Sequence, residues 1–474
     1  MLRKERRTLL ALFLSAHALP LAGQSPDELA SRLVRQMASE LRAMAPLPGL
    51  SIAISRQGRV VFAEGFGYAD IEDRTPVTQD TRFRTASVGK VITATALGRL
   101  VQEGRLRLDV PVQEYVLSYP AKAWPVTARQ LAGHLSGVPH YSNADSLERR
   151  FYVSVVDALG VFAHVDLIAE PNTRYRYSTH GFTLLSAVIE GAAKEPFLEY
   201  MQRAVFGPLG MRSTGPDVRA RPAAELATFY SWRDGALVRI QQPEDPSYKW
   251  AGGGLTSTPT DLLRLAAGYF NGFLDSATVS LMWTSQRLQS GGETGVGLGW
   301  RNGRDIDGRR VLEHAGSMEG SRTVVGIFPE ERVAISLMTN REWSSTIEET
   351  AHMLALPFLA APSPRPQPHG TFDVTVETVA VSGEKKAQRG TLTLTGERGE
   401  LLVEQGSRDE QMFVLFYLHA DDVYAFVRPD GIYRSSLAVI DSVLSGRVVG
   451  YGSPQLTSAP GNPPFMTFVG HRRK

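Results

Sequence analysis

The sequence predicts an α+β body followed by a small all-β C-terminal domain. Two β-hairpin-like runs stand at opposite ends of a long helical middle, and a proline-rich stretch near residue 361 breaks both periodicities. Beyond it the chain alternates between apolar and polar residues in short segments. A length of 474 residues fits two or three domains. With 43% hydrophobic and 21% charged residues, the composition is that of a folded protein with a sizeable core.

Each element has its own signal. MLRKERR followed by the apolar run TLLALFLSAHALPL reads as a signal peptide over 1–23, with Ala22-Gly23 before a cleavage point at Gln24. The run is short for a membrane span and is interrupted by His17 and Pro20, although an uncleaved anchor is the alternative. The mature chain is then expected to be secreted or periplasmic, without a transmembrane span. Ser25-Pro26-Asp27-Glu28 is a helix start with N-cap, proline at the first position and the glutamate of a capping box. Leu29, Leu33, Val34, Met37, Leu41 and Met44 follow at helical spacing until Pro46 and Pro48-Gly49 end the helix.

LSIAISRQG and RVVFAEGFGYAD read as a hairpin turning at Gln57-Gly58. A helix is expected from Ser87 to about Gly104, and a mostly helical region to about residue 210. RTVVGIFPEERVAISLMTN is a second hairpin, turning at Pro329-Glu330-Glu331, and a helix from about Trp343 to Leu359 closes the body over 24–360. APSPRPQPHG is the linker, 361–370. TFDVTVETVAV, GTLTLTG, ELLVEQG, QMFVLFYLHA and DDVYAFVRP then predict a β-sandwich or barrel over 371–474.

Composition also limits the chemistry. The chain has no cysteine, which removes disulfides, thiolate metal sites and thiol nucleophiles. A formal charge of +2 gives no footprint for nucleic acid, and it becomes −1 without the leader. No H-E-x-x-H, EF-hand loop or G-x-S-x-G is present, so neither a metal site nor an α/β-hydrolase elbow has sequence support. The segment 295–299, GVGLG, lacks a preceding strand and reads as a loop.

Ser87-Val88-Gly89-Lys90 opens a helix with its hydroxyl and amine three residues apart, on one face. A lysine inclined to shed its proton there can take the serine proton and make an alkoxide. By itself such a spacing also fits a helix-start serine and a solvent-facing lysine. Two further segments accompany it: Tyr175-Arg176-Tyr177-Ser178-Thr179-His180 before a helical run, and Leu312-Glu313-His314-Ala315-Gly316-Ser317 before the second hairpin.

With these in that order, and with GHLSG and Pro139-His140-Tyr141 at 133–141 and Tyr248-Lys249-Trp250-Ala251-Gly252-Gly253-Gly254, the chain resembles the serine β-lactamase and penicillin-binding protein superfamily. The likeness is to its class C-related branch and, within that, the mitochondrial serine β-lactamase-like group and its bacterial relatives, over roughly residues 30–360. It implies the β-lactamase/transpeptidase-like fold, an antiparallel sheet flanked by helices plus a helical subdomain.

The resemblance further implies Ser87 as acylated nucleophile, Lys90 as its base and Tyr177 as proton shuttle. His314 would face the substrate carboxylate, backbone N–H groups of Ser87 and Ser317 would form the oxyanion hole, and Gly316 would allow close approach of substrate. Thr179 stands where the family usually has asparagine, which puts β-lactam turnover in doubt because a hydroxyl cannot bridge lysine and substrate amide as an amide does. His314 in place of lysine would make carboxylate recognition weaker and more pH-sensitive.

The implied function is an exported serine hydrolase for ester, amide or peptide substrates, needing no cofactor or metal. The alternatives are a β-lactamase or D-alanyl-D-alanine peptidase, or a silent binding or self-assembling module. The expected partner is a small-molecule or peptide substrate, with self-association open because some relatives polymerise.

Outside these motifs, His134 and His140 are either cleft groups or helix-end histidines satisfied by backbone. His180 is open, and Trp250 with its three glycines is either a cleft wall or a structural turn.

Overall fold

The computed structural model describes residues 25–142, 150–218, 225–343, 346–359, 369–379, 384–395, 398–405, 408–419, 423–449 and 466–473. The leader and positions 361–368 of the expected linker lie outside the described residues.

Helix α1 (Pro26–Met44) begins as its sequence dictates. The Ser25 hydroxyl accepts from Glu28 N, and the Glu28 carboxylate accepts from Ser25 N at 2.7 Å. Its apolar face, Leu33, Val34, Met37 and Leu41, is buried. Strands β1 (Gly49–Arg56) and β2 (Arg59–Asp70) follow, joined at Gln57 and Gly58, both at positive φ. Two successive left-handed residues give the turn whose twist matches a two-residue hairpin.

The body is a seven-stranded sheet that adds β3 (Thr75–Pro76), β4 (Arg301–Arg304), β5 (Arg310–Met318), β6 (Ser321–Phe328) and β7 (Val333–Thr339), in the order β3-β2-β1-β7-β6-β5-β4. The pairings named in register are antiparallel. The N-terminal hairpin is thereby completed by the C-terminal one, Leu50 lying opposite Thr339.

Three more helices fix the layers: α2 (Gly89–Gln102), α3 (Thr179–Ala193) and α4 (Pro259–Gly268). The second face is covered by α1 and by α5 (Ile347–Leu359). Strands β1, β6 and β7 are covered on both faces and buried nearly throughout, polar residues such as Ser51 and Thr323 included. Helices α2 and α3, with Trp250, Leu262 and Trp300, form one core with the inner faces of β5, β6 and β7.

The C-terminal strands settle the choice between sandwich and barrel in favour of a closed barrel. Its eight strands run consecutively from β8 to β15: His369–Val379, Lys385–Thr395, Arg398–Gln405, Arg408–His419, Val423–Arg428, Gly431–Ile440, Val443–Val449 and Met466–Arg472. Strand β8 closes the ring by pairing with β15 as well as β9. Phe372, Leu392, Leu401, Phe426, Leu444 and Phe468 belong to the core that fills it.

The barrel rests on the body through β12 and β13, whose Val423, Ala425, Val427 and Ile432 share a core with α1 and α5. Trp343 Nε1 donates to Pro429 O at 2.9 Å, and Ile432 N donates to Thr350 Oγ1 at 3.1 Å. Among the described residues no helix is long and apolar enough to cross a membrane.

Candidate active site

Ser87 lies in a short 3-10 turn (Ala86–Val88) that feeds directly into α2. Ala86 has φ +45°, a conformation that costs a residue with a Cβ on the order of 1–3 kcal/mol, so the strain sits immediately before the hydroxyl. The turn is held from behind by Arg84. That buried guanidinium pairs with Asp217 at 2.7 Å, donates to the carbonyls of Glu244 and Glu319, and lies 4.0 Å from the Phe229 ring.

Around Ser87 Oγ the predicted residues converge. The Tyr177 hydroxyl is 2.8 Å away and Lys90 Nζ 3.2 Å. The Lys90 amine is fully buried, 3.1 Å from Thr179 Oγ1 and 2.6 Å from Gly252 O. Burial drives its pKa well below the ordinary lysine value, and the charges of Lys249 and Arg301 add to the effect. An amine with two N–H groups and one lone pair fits this surround. In the neutral form its N–H groups would serve Thr179 and Gly252, leaving the lone pair for the Ser87 hydroxyl. Burial raises the Tyr177 phenol above its usual pKa, so it stands beside Ser87 as a proton donor.

His314 stands on β5 beside the Tyr177 ring. Its ring is buried within β5, with centroid 6.3 Å from that of Tyr177 and Nδ1 2.7 Å from Ala315 O. A carbonyl only accepts, so Nδ1 carries the proton. Burial, followed by the charges of Arg301 and Lys90, pushes its pKa well below 6.5, and the neutral ring offers no cation to a carboxylate.

Gly316 lies where β5 meets the turn that carries Ser87: a Cβ there would stand 2.6 Å from Ser87 N and 2.7 Å from Thr85 O. Ser317 is exposed, its hydroxyl directed at Glu342 at 3.4 Å. Strand β4 pairs with β5 only from Arg310 to Glu313, so positions 314–318 run on beyond the end of that pairing.

The glycine segment 252–254 is the contribution that motif reading left undecided. A Cβ on Gly252 would stand 2.6 Å from Thr179 Cγ2, and one on Gly253 3.3 Å from the Ala86 carbonyl carbon. These positions bring the Gly252 carbonyl to Lys90. Lys249 is buried against Glu244 at 2.9 Å. Trp250 is buried with its ring 5.9 Å from Phe151. His180 stacks on Phe162, with ring centroids 4.4 Å apart. The roles of Gly252 O and Arg84 were not legible as motifs, since one is a main-chain atom and the other an unremarkable arginine.

Among the described residues no group of three or more His, Asp or Glu side chains is placed to hold a metal ion.

A family model for beta-lactamase matches residues 34–357, more than half of the chain. The chain belongs to the beta-lactamase family. The mitochondrial serine beta-lactamase-like protein of Homo sapiens is 26% identical over 432 aligned residues, covering 68% of this chain and 79% of that protein. Penicillin-binding protein 4* of Bacillus subtilis (strain 168) is 25% identical, covering 63% and 69%. The octameric penicillin-binding protein homologue from Pyrococcus abyssi superposes with TM-score 0.60 at 22% identity, over 94% of this chain and all of that one. As a beta-lactamase-family chain with this fold, the protein is a serine hydrolase of the β-lactamase and penicillin-binding group.

Proposed function

We propose that the protein is an exported serine hydrolase that works through an acyl-Ser87 intermediate on esters, amides or short peptides. The observation carrying this reading is the double contact of Ser87 Oγ, with a dehydrated amine on one side and a phenol on the other.

Neutral Lys90 takes the Ser87 proton as Oγ bonds to the substrate carbonyl carbon, and the carbonyl oxygen becomes an oxyanion. Backbone N–H groups of Ser87 and Ser317 receive that charge. Tyr177 gives its proton to the leaving group as the carbon–leaving-group bond breaks, and the proton on Lys90 restores the phenol. Water attacks the acyl carbon by the same route and frees Ser87. Gly316 gives the substrate room beside β5, Thr179 holds the amine, and neutral His314 offers a polar ring rather than a charge. No cofactor enters any step.

Thr179 favours esters and small amides over β-lactams, because a hydroxyl on Lys90 leaves no amide to hold the substrate's own amide. A β-lactamase or D-alanyl-D-alanine peptidase remains the second reading of the same machinery. The barrel, with the linker before it, would serve as an accessory lid or docking module, and the assembly named for the Pyrococcus abyssi homologue suggests self-association here.

The test is labelling with a fluorophosphonate and a fluorescent penicillin, followed by a panel of aryl esters, D-amino-acid amides, peptides and a chromogenic cephalosporin. Wild type should label and turn over at least one class while Ser87→Ala does neither. Equal behaviour of the two proteins would leave a silent binding module.

A further inference from the structure

Two histidines outside the catalytic set occupy the backbone around Tyr177. Ser178 N donates to His134 Nδ1 at 3.1 Å, and Thr179 N donates to His140 Nδ1 at 3.0 Å. The carbonyl of His134 also accepts from Arg176 N at 2.9 Å, so this one residue grips the chain immediately before and immediately after the tyrosine. Both imidazoles touch the phenol ring, His134 at 4.4 Å between centroids and His140 at 5.4 Å near the perpendicular. His134 does this from φ +60°, a strained backbone for a residue with a Cβ.

The amides concerned are those at the start of α3, where the first N–H groups have no partner within the helix. The Ser178 hydroxyl takes the Gly181 N–H, and the two imidazoles take those of Ser178 and Thr179. A histidine can do so only as a neutral ring with its proton on Nε2, since a protonated Nδ1 would point a second donor at a donor. The partial positive charge of the helix start favours the same form.

We infer that His134 and His140 are positioning residues: as neutral Nδ1 acceptors they set the Tyr177 hydroxyl on Ser87 and the Thr179 hydroxyl on Lys90. The inference rests on the acyl-transfer reading above, which makes those two hydroxyls matter. The cations facing the rings are Lys90 from α2, Lys249 from the glycine-bearing segment and Arg301 from β4. The other titratable neighbours are Tyr141, Tyr175, Tyr177 and His180. Burial and the cations act together to keep both rings unprotonated, His140 down to about 4.

The experiment compares His140→Asn with His140→Phe in the full chain. His140 is open to solvent on one side, so its variants should fold. Asparagine keeps an acceptor at the Nδ1 position and phenylalanine keeps only the ring. With an ester substrate, the phenylalanine variant should lose roughly 10- to 100-fold in kcat with little change in KM. The asparagine variant should recover most of that loss.

Phenylalanine at the wild-type rate, or asparagine no better than phenylalanine, overturns the inference. An independent readout is the imidazole 15N spectrum of the wild-type chain, in which both rings should hold the Nε2–H form from pH 8 down to pH 5. An Nδ1–H form, or titration near 6.5, overturns it without reference to activity. Persistent activity in Ser87→Ala would instead sink the acyl-transfer reading and leave the spectrum to decide the hydrogen bonds alone.

Discussion

Lys90 Nζ donates to the Gly252 carbonyl at 2.6 Å, and nothing of the lysine side chain reaches solvent. A cation in that position would lack the hydration that normally supports it, which favours the neutral amine required by the proposed base role. Lys90→Met should remove about 10²- to 10⁴-fold of the acylation rate, and Lys90→Arg should do no better, because a guanidinium does not release its proton. Stopped-flow release of nitrophenol from an acetyl ester measures this.

The same depressed pKa links stability to pH. Above its folded value Lys90 is neutral in the native chain while the unfolded chain stays protonated up to about 10.5. The unfolded state then binds more protons, so stability rises with pH through that window and is lost as pH falls through the folded value. Urea melts of wild type and Lys90→Met between pH 7 and pH 10 should diverge, with only the wild type gaining stability.

Thr179→Asn should restore an amide beside Lys90 and a second donor for a substrate amide. The expected outcome is a higher ratio of chromogenic-cephalosporin to aryl-ester turnover. An unchanged ratio would remove Thr179 from the determinants of substrate class.

Gly316→Ala would drive a methyl group to within 2.6 Å of Ser87 N, the amide assigned to the oxyanion hole. Loss of one such donor costs about 10²- to 10³-fold in kcat, and overpacking costs about 1–3 kcal/mol of stability. Kinetics together with thermal melts should therefore show both losses, with the rate falling further than partial unfolding explains.

The barrel's seat is testable through Val427, which is buried against α1 and α5. Val427→Asp places a carboxylate in that apolar contact at a cost on the order of 3 kcal/mol. Denaturant unfolding followed by fluorescence should separate into two transitions, and a single unshifted transition would show that the contact contributes little.

How much of this was legible depended on whether a residue acts through its side chain or its backbone. The capping box at Ser25 and Glu28, the Gln57-Gly58 turn and the spacing of Ser87 and Lys90 are local, and each stands where its pattern placed it. Tyr177 and Thr179 were readable through the family resemblance, their motif following Ser87 and Lys90 in the family's order. Gly252 O was hidden because a carbonyl has no sequence identity, and only the glycines beside it signalled a close approach. The protonation of His314 was not legible, because burial decides it and burial is not a local property. The barrel was ambiguous for a related reason: alternation marks an inside and an outside, but closure depends on β8 meeting β15 across the whole domain.

The pairing of Leu50 with Thr339 has a consequence for synthesis. The first hairpin leaves the ribosome long before β7 exists, so its partner edge stays open while the helical middle is made. Helix α1 waits longer still, because part of its apolar cover comes from β12 and β13. Such long-range closure makes for slow folding and prolonged exposure of sticky strands. The chain should need protection from aggregation until its last hundred residues have emerged.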